Sequence, residues 1–302
     1  MLKVIDSGIQ TTIQDAGRWG YQAFGVPASG AMDWFAFVVT NRLAGNDANA
    51  ATLEIRSPIT LQTDERCVVA LTGADADLRI DGRAMPAWAS VFVRAGSMIE
   101  IKSRRAGGWM YLAVRGGIDV PHILGSRSTY ARAGSGSLLQ AGDEISIGEP
   151  RADLVALAGR IASNQVRSVA ARHSFIRVIL GPHHDWFTLN AIETLTSIEY
   201  TLTDVADRMG YRLTGVSLTR ARNEELISCG VPLGAIQIPA DGQPIVLMAD
   251  HQTTGGYPII ATVIRADLPM LAQRAPGERV SFQVVGVEQA QTAWREMLKM
   301  LD

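Results

Sequence analysis

Short apolar runs, each cut off by Gly, Pro, Asp or Ser, recur along most of this chain and leave little room for a helical architecture. Cys67-Val68-Val69-Ala70-Leu71-Thr72 stops at Gly73, Val91-Phe92-Val93 ends just before Gly96, and Met98-Ile99-Glu100-Ile101 follows at once. Met110-Tyr111-Leu112-Ala113-Val114 runs into Gly116-Gly117, and Val280-Ser281-Phe282-Gln283-Val284-Val285 lies near the end. Such runs, closely spaced and bounded by turn residues, predict strands of a sandwich or barrel. Ala141-Gly142-Asp143 and Pro276-Gly277-Glu278 each lead into a further run, so both halves are expected to end on strands.

Few helices are expected among them. The first runs from Asp33 to Ala44, with apolar Phe37, Val38 and Leu43 and with Gly45 as the C-terminal stop. A second opens on Asp185 as N-cap and continues through Ile192 to Leu195. The third spans Val287 to Leu301, where Ala290, Trp294, Met297, Leu298 and Leu301 make one apolar stripe. At 302 residues the chain has room for two domains. They are expected at about 1–155 and 173–302, bridged by the Ala/Arg/Ser-rich stretch 150–172 as linker or loop. Paired fragments favour related halves: Arg18-Trp19-Gly20-Tyr21 with Arg208-Met209-Gly210-Tyr211, Gly25-Val26-Pro27 with Gly230-Val231-Pro232, and Asp33-Trp34-Phe35 with Asp185-Trp186-Phe187. The last pair breaks the common order, so a duplication stays a hypothesis.

Composition narrows the function. A formal charge of −2 and no basic run longer than Arg104-Arg105 argue against nucleic acid as partner. Lysine occurs only at positions 3, 102 and 299, and no Gly-x-x-x-x-Gly-Lys-Ser/Thr loop is present, so nucleotide hydrolysis by this chain alone is not expected. The glycine pairs Gly116-Gly117 and Gly255-Gly256 lack dinucleotide-fingerprint spacing, and Gly134-Ser135-Gly136-Ser137 reads as a flexible loop rather than a nucleophile elbow. Lys299-Met300 sits in the terminal helix as a solvated lysine, not as a biotin carrier. His183-His184-Asp185 reads as loop histidines before a helix cap, so no metal is expected. Cys67 and Cys229 are far apart and in no redox spacing. With no signal-like start and no membrane-length apolar run, a reduced, soluble, cytoplasmic protein without membrane contact is the economical expectation.

One run holds more chemistry than a turn requires: Ala249-Asp250-His251-Gln252-Thr253-Thr254-Gly255-Gly256-Tyr257-Pro258, delivered by the apolar Ile245-Val246-Leu247-Met248. Thr-Gly-Gly and Pro fit a tight turn, while the Asp-His-Gln start places polar groups at the tip of a strand.

Two long stretches carry a family resemblance. The first is Thr11-Thr12-Ile13-Gln14-Asp15-Ala16-Gly17-Arg18-Trp19-Gly20-Tyr21, followed by Gly25 to Asp33, Asn41 to Asn46 and Leu53-Glu54. The second is Gly230-Val231-Pro232-Leu233-Gly234-Ala235-Ile236-Gln237-Ile238-Pro239, then Asp241 to Met248 and the polar run. Gly116 to Pro121 and Gly125-Ser126-Arg127-Ser128-Thr129 lie between them in order. The chain resembles the biotin-dependent carboxyltransferase family, also called allophanate hydrolase subunit 2 or KipA-like. That family includes the C subunit of bacterial 5-oxoprolinase and part of the urea carboxylase carboxyltransferase domain. The resemblance implies a mainly β fold of two cyclophilin-like β-barrel subdomains and a KipI-like B subunit as companion. In the oxoprolinase case it also implies an A-type ATPase subunit, with ring opening of 5-oxoproline to glutamate coupled to ATP. No cofactor is then expected on this chain: ATP belongs to a partner, and biotin enters only for a carboxyltransferase acting on urea-like substrates with its carrier in trans. A third implied role is non-enzymatic, a KipA-type module that binds a KipI-like kinase inhibitor.

The sequence departs from the family where Ser228-Cys229-Gly230 replaces a usual Ser-Glu-Gly, at Gly215-Val216 and Pro239-Ala240, and in the shortened segment 133–137. For a cyclic amide or urea-like substrate, Asp250 and Gln252 are the expected catalytic residues. Gln237, Thr253, Thr254, Gly255, Gly256, Tyr257, Tyr211, Gln14, Asp15 and Arg18 are expected to bind substrate. Several of these segments have a plainer alternative. Asp250 can instead satisfy loop N–H groups, Thr-Gly-Gly can be a turn alone, and His251 can be an exposed loop histidine. Asp15 and Arg18 can form a staple across a turn, and Tyr21, Tyr211 and Tyr257 can be structural tyrosines with one satisfied hydroxyl.

Overall fold

The apolar runs do become strands. In the computed structural model, residues 1–104, 108–149, 153–169, 175–222 and 224–301 are described. Met1–Arg18 with Ser29–Arg167 form one compact unit, and Trp19–Ala28 with Ser168–Asp302 form a second. Of the stretch 150–172, residues 150–152 and 170–172 lie outside the described residues, and the part between carries two short helices, Leu154–Leu157 and Asn164–Arg167.

The first unit is built on two antiparallel sheets. Its strands are β1 (Leu2–Asp6), β2 (Thr11–Gln14), β3 (Thr52–Ile55), β4 (Ile59–Thr63), β5 (Cys67–Gly73), β6 (Ala76–Ile80), β7 (Arg83–Met85), β8 (Ala89–Val93), β9 (Met98–Ser103), β10 (Met110–Val114) and β11 (Glu144–Ile145). One sheet runs β11-β1-β4-β9-β6-β7 and the other β2-β3-β10-β5-β8. Strands β4 and β6 alternate buried and accessible positions, as expected where one face meets a core and the other meets water. Leu2, Val4, Leu53, Leu61, Leu71, Ile99 and Leu112 belong to the core they share.

Strands β5 and β10 are instead buried at every position, because helix α1 (Trp34–Ala44) lies on their second face. Thr72 donates to the Ala36 carbonyl at 2.7 Å, and Thr40 donates to the Ala70 carbonyl at 2.9 Å. A helix covered this fully is apolar nearly all round, and only Arg42 of α1 is exposed. Its ends are set locally. The Asp33 side chain accepts from the Ala36 N–H at 2.9 Å, and Gly45 takes the left-handed conformation at φ 76°, as the sequence predicts.

The second unit contains a closed barrel. Its strands are β12 (Phe175–Leu180), β13 (Glu199–Ala206), β14 (Gly210–Thr214), β15 (Cys229–Gly230), β16 (Ala235–Gln237), β17 (Ile245–Leu247), β18 (Thr254–Gly255), β19 (Ile259–Val263) and β20 (Arg279–Val284). The barrel runs β12-β19-β16-β17-β14-β13-β20 and closes through a parallel pair, β12 with β20. Ile176, Val178, Tyr200, Leu202, Leu213, Val280 and Phe282 alternate along their strands as buried residues, with the Tyr200 and Phe282 rings 6.2 Å apart. Strands β15 and β18 pair with each other outside the barrel.

Two helix expectations need correction. Asp185 does not cap a helix: it lies in a single 3-10 turn, His184–Trp186, and its carboxylate pairs with Arg222 at 2.7 Å. The helix starts later, at Leu189–Ser197, with Thr188 accepting from the Ala191 N–H at 3.1 Å. The terminal helix Val287–Lys299 buries Ala293 and Met297, while Leu298 points outward at 40% exposure. Trp294 is partly covered by the Arg265 guanidinium, 4.5 Å from its ring centre. No described helix is long and apolar enough to cross a membrane.

Irregular chain between β10 and β11 is tied to β2. Thr129 and Leu139 donate backbone N–H groups to Ile13 and Thr11, and Asp15 fixes the 126–128 turn. Its Oδ1 accepts from the hydroxyls of Ser126 and Ser128, both at 2.6 Å, and from the Gly17 N–H at 2.8 Å; Oδ2 accepts from the Arg127 N–H at 2.6 Å. Burial opposes ionisation of this carboxyl, but the bonds from Ser126, Ser128, Arg127 and Gly17 outweigh it and hold its pKa below the usual range.

Two outcomes are expected. Thr188→Ala should cost about 1 kcal/mol of stability, whereas Asp185→Ala should stay within about 0.5 kcal/mol; the reverse order in urea unfolding would restore Asp185 as the cap. A depressed folded-state pKa means that Asp15 stabilises the fold above its unfolded value of about 3.9, and that this contribution is lost as pH falls through the folded-state value. Asp15→Asn should therefore lose about 2–4 kcal/mol at pH 7 and show a shallower loss on acidification than the native chain. Identical pH slopes for the two proteins would contradict this.

Candidate functional site

Strand β17 carries the chain out of the barrel and into the polar run, as the sequence suggested. Met248 and Asp250 continue the pairing by donating backbone N–H groups to the carbonyls of Met209 and Arg208, at 3.0 and 2.7 Å. The Asp250 carboxylate then meets the Arg208 guanidinium as a fork: Nε to Oδ2 and NH2 to Oδ1, both 2.8 Å. Both side chains are buried, Arg208 at 7% and Asp250 at 10% exposure. The Asp250 carboxylate is thus engaged within the protein by a guanidinium. His251 is half-buried rather than exposed, its Nδ1 sits 2.7 Å from the Gln252 carbonyl oxygen, and burial lowers its pKa. It is therefore held neutral, with Nδ1–H donating.

Beyond His251 the run turns toward Gln237, the last residue of β16. This side chain is 1% exposed, and its Oε1 accepts from Gln252 Nε2 at 3.3 Å. Its Nε2 reaches the Tyr257 carbonyl at 3.5 Å. Both contacts are at the long end of hydrogen-bond range. Gly255 passes so close that a Cβ there would lie 2.8 Å from Gln237 Nε2, so a side chain at this point would have to displace the Gln237 amide. Thr254 and Gly255 pair with Gly230 and Cys229, and Thr253 accepts from the Val231 N–H at 3.1 Å. Cys229 thus stands across the ladder from Gly255.

Gln237, Gln252, Gly255 and the Tyr257 backbone therefore meet in one place, with a thiol-bearing strand alongside. Tyr257 itself is 49% exposed. Tyr211 is fully buried, and its hydroxyl donates to the Ala272 carbonyl at 2.9 Å, as a structural tyrosine. The second cluster belongs to the first unit. Gln14 Nε2 donates to Thr12 Oγ1 and to the Thr129 carbonyl, each at 3.1 Å. Asp15 gives its oxygens to Ser126, Ser128, Gly17 and Arg127, and Arg18 donates to the Ser128 carbonyl. The expected Asp15–Arg18 staple is thus replaced by a network in which both residues hold the turn at Ser128.

Arg208 and the serines of 126–128 were not singled out by sequence reasoning. A signal for Arg208 existed in the paired Arg-x-Gly-Tyr fragments. Each fragment supplies a buried arginine: Arg18 grips the 126–128 turn in one unit and Arg208 grips the 248–252 segment in the other.

Comparison with known proteins bears on the chain as a whole. Residues 24–284 match the model of the carboxyltransferase domain, subdomains A and B. The chain is 38% identical to the C subunit of 5-oxoprolinase from Escherichia coli (strain K12), covering all of this chain and 97% of that one. It is 31% identical to urea amidolyase of Saccharomyces cerevisiae, over 94% of this chain but 17% of that protein. The crystal structure of K. lactis urea amidolyase superposes with a TM-score of 0.88 at 28% identity; all of this chain is covered, and it spans 20% of that one. A model match over most of the sequence, together with relatives aligned along its whole length, places the chain in the carboxyltransferase-domain family.

Proposed function

We propose that this chain is the C-type subunit of an ATP-dependent 5-oxoprolinase, acting with an A-type ATPase subunit and a KipI-like B subunit to open 5-oxoproline to L-glutamate. The observation that carries this reading is mutual coverage. The chain and the C subunit of the E. coli 5-oxoprolinase match over 100% and 97% of their lengths, while urea amidolyase uses the same fold as a small part of a much larger protein.

The chemistry of the Gln237–Gln252 pair suits a lactam. A cyclic amide presents an N–H donor and a carbonyl acceptor on one edge, and each glutamine amide offers the complement. The present contacts of the pair, 3.3 and 3.5 Å, are weak enough to be exchanged for a ligand. A donor at the lactam oxygen raises the electrophilicity of a carbon otherwise protected by amide resonance. In this reading Gln252 touches the substrate amide, Gln237 and the Thr253–Tyr257 backbone form the wall, and Asp250 positions Gln252 through its grip on Arg208. The network of Gln14, Asp15 and Arg18 supports its own unit. Nothing on this chain supplies a phosphate loop or carrier lysine, so ATP is handled by a partner. A urea-directed carboxyltransferase with biotin carried in trans is the second reading, favoured by the TM-score of 0.88 to urea amidolyase; urea presents the same amide edge.

Reconstitution tests the proposal. The chain combined with its co-encoded A- and B-type subunits should hydrolyse ATP in a 5-oxoproline-dependent manner. Gln252→Ala should lower kcat/KM about tenfold or more while leaving unfolding unchanged. Absence of turnover with every partner combination sinks the enzyme reading, and turnover of urea with a biotin carrier instead would establish the second. The role of Asp250 has its own test. Asp250→Ala and Arg208→Met should each cost about 3–5 kcal/mol of stability, because each leaves a buried charge unpaired. The double variant Arg208→Met/Asp250→Leu should recover much of that loss. If the single variants keep their stability and lose only turnover, Asp250 is catalytic rather than positioning.

A further inference from the structure

A cleft in the first unit, about 640 Å³ in volume, shares only Arg127 with the clusters described above. Its floor is bare backbone. Gly116, at φ 97°, packs so closely on Gly148 that a Cβ on it would come 2.0 Å from the Gly148 carbonyl oxygen; the reciprocal distance is 2.3 Å. Asn46 locks this floor in place: its Oδ1 accepts from the Gly116 N–H at 2.9 Å, and its Nδ2 donates to the Val114 carbonyl at 2.8 Å. The close approach of the two backbones excludes a side chain at either position.

The charges around it are unevenly satisfied. Arg127 is spent, with Nε on the Val120 carbonyl at 2.7 Å and NH2 on Asp119. Arg115 is not. Its guanidinium lies beside Gly45, with NH1 3.3 Å from where a Cβ of that residue would sit. Its Nε is buried without a hydrogen-bond partner, and it joins no ion pair among the described residues. Arg115 nonetheless lines the cleft, and a guanidinium there without an ion pair among the described residues is available to an acceptor brought from outside. Asp47 and Glu149 also line the cleft; both are exposed.

We propose that this cleft binds a small amino-carboxylate, with its carboxylate on Arg115 and its ammonium group toward Asp47 and Glu149. A planar guanidinium favours a carboxylate as bidentate partner. With Asp47, Asp119 and Glu149 opposing Arg115 and Arg127, the lining repels a multiply charged anion such as phosphate but accepts a zwitterion, whose two charges find opposite partners. These residues are separate from the Gln237–Gln252 pair, so the site stands or falls independently of the oxoprolinase reading.

Calorimetric titration of the full chain, without partner subunits, tests this with L-glutamate, glycine, acetate and inorganic phosphate as probes. At least one amino acid should bind saturably and more tightly than acetate or phosphate. Arg115→Gln should weaken that binding about tenfold or more, and Arg115→Lys, which keeps the charge but not the fork, should weaken it less. The exposed double variant Asp47→Asn/Glu149→Gln, which removes no packing, should abolish the preference for the amino acid over acetate. No saturable binding of either amino acid by the native chain overturns the proposal. So does unchanged affinity in Arg115→Gln, or an undiminished amino-acid preference in the double variant.

Discussion

A carboxylate withdrawn from water costs several kcal/mol unless donors meet it on all sides, and both polar clusters of this chain are organised around meeting that cost. Asp15 is met by two serine hydroxyls and two backbone N–H groups, Asp250 by a forked guanidinium. Three of the four donors to Asp15, and the guanidinium that meets Asp250, come from segments distant in sequence, so each carboxylate joins segments that nothing local would bring together. The segments so fixed lead directly to the residues of interest: the 126–129 turn to Gln14, and the 248–252 segment to Gln252. Each carboxylate thereby holds a turn of its own unit in place.

Burial explains the allocation of the other polar residues as well. The Tyr211 hydroxyl donates to the Ala272 carbonyl, and the Thr40 hydroxyl is placed between the Ala70 and Tyr111 carbonyls. Gln237 differs because its two contacts are long although the side chain is almost fully enclosed. A buried amide with long contacts gains less from them than one with short, well-aligned partners.

What the sequence disclosed follows the range of the forces involved. The first helix was legible to the residue at both ends, since Asp33 and Gly45 act within one turn of it. Strands such as Met110–Val114 were legible because apolar runs bounded by glycine are local too. Asp185 misled for the same reason: it has the chemistry of a cap, but Arg222 claimed it and Thr188 took the role. The partners of Asp15 and Asp250, and the choice of Gln237 for Gln252, depend on contacts between distant segments. No spacing rule encodes these; only the repeated Arg-x-Gly-Tyr fragments hinted that Arg208 mattered. The family resemblance drew attention to these segments, while the division of labour within them required coordinates.

The parallel pairing of β12 with β20 has a consequence for biosynthesis. These are the first and last strands of their barrel, so the ladder that closes it joins opposite ends of the second unit. Such a closure carries a large loop entropy and comes late. While the ribosome is still supplying β20, β12 exposes an open edge, a template for pairing with a neighbouring nascent chain. The second unit therefore gains its protection from aggregation only after β20 has emerged.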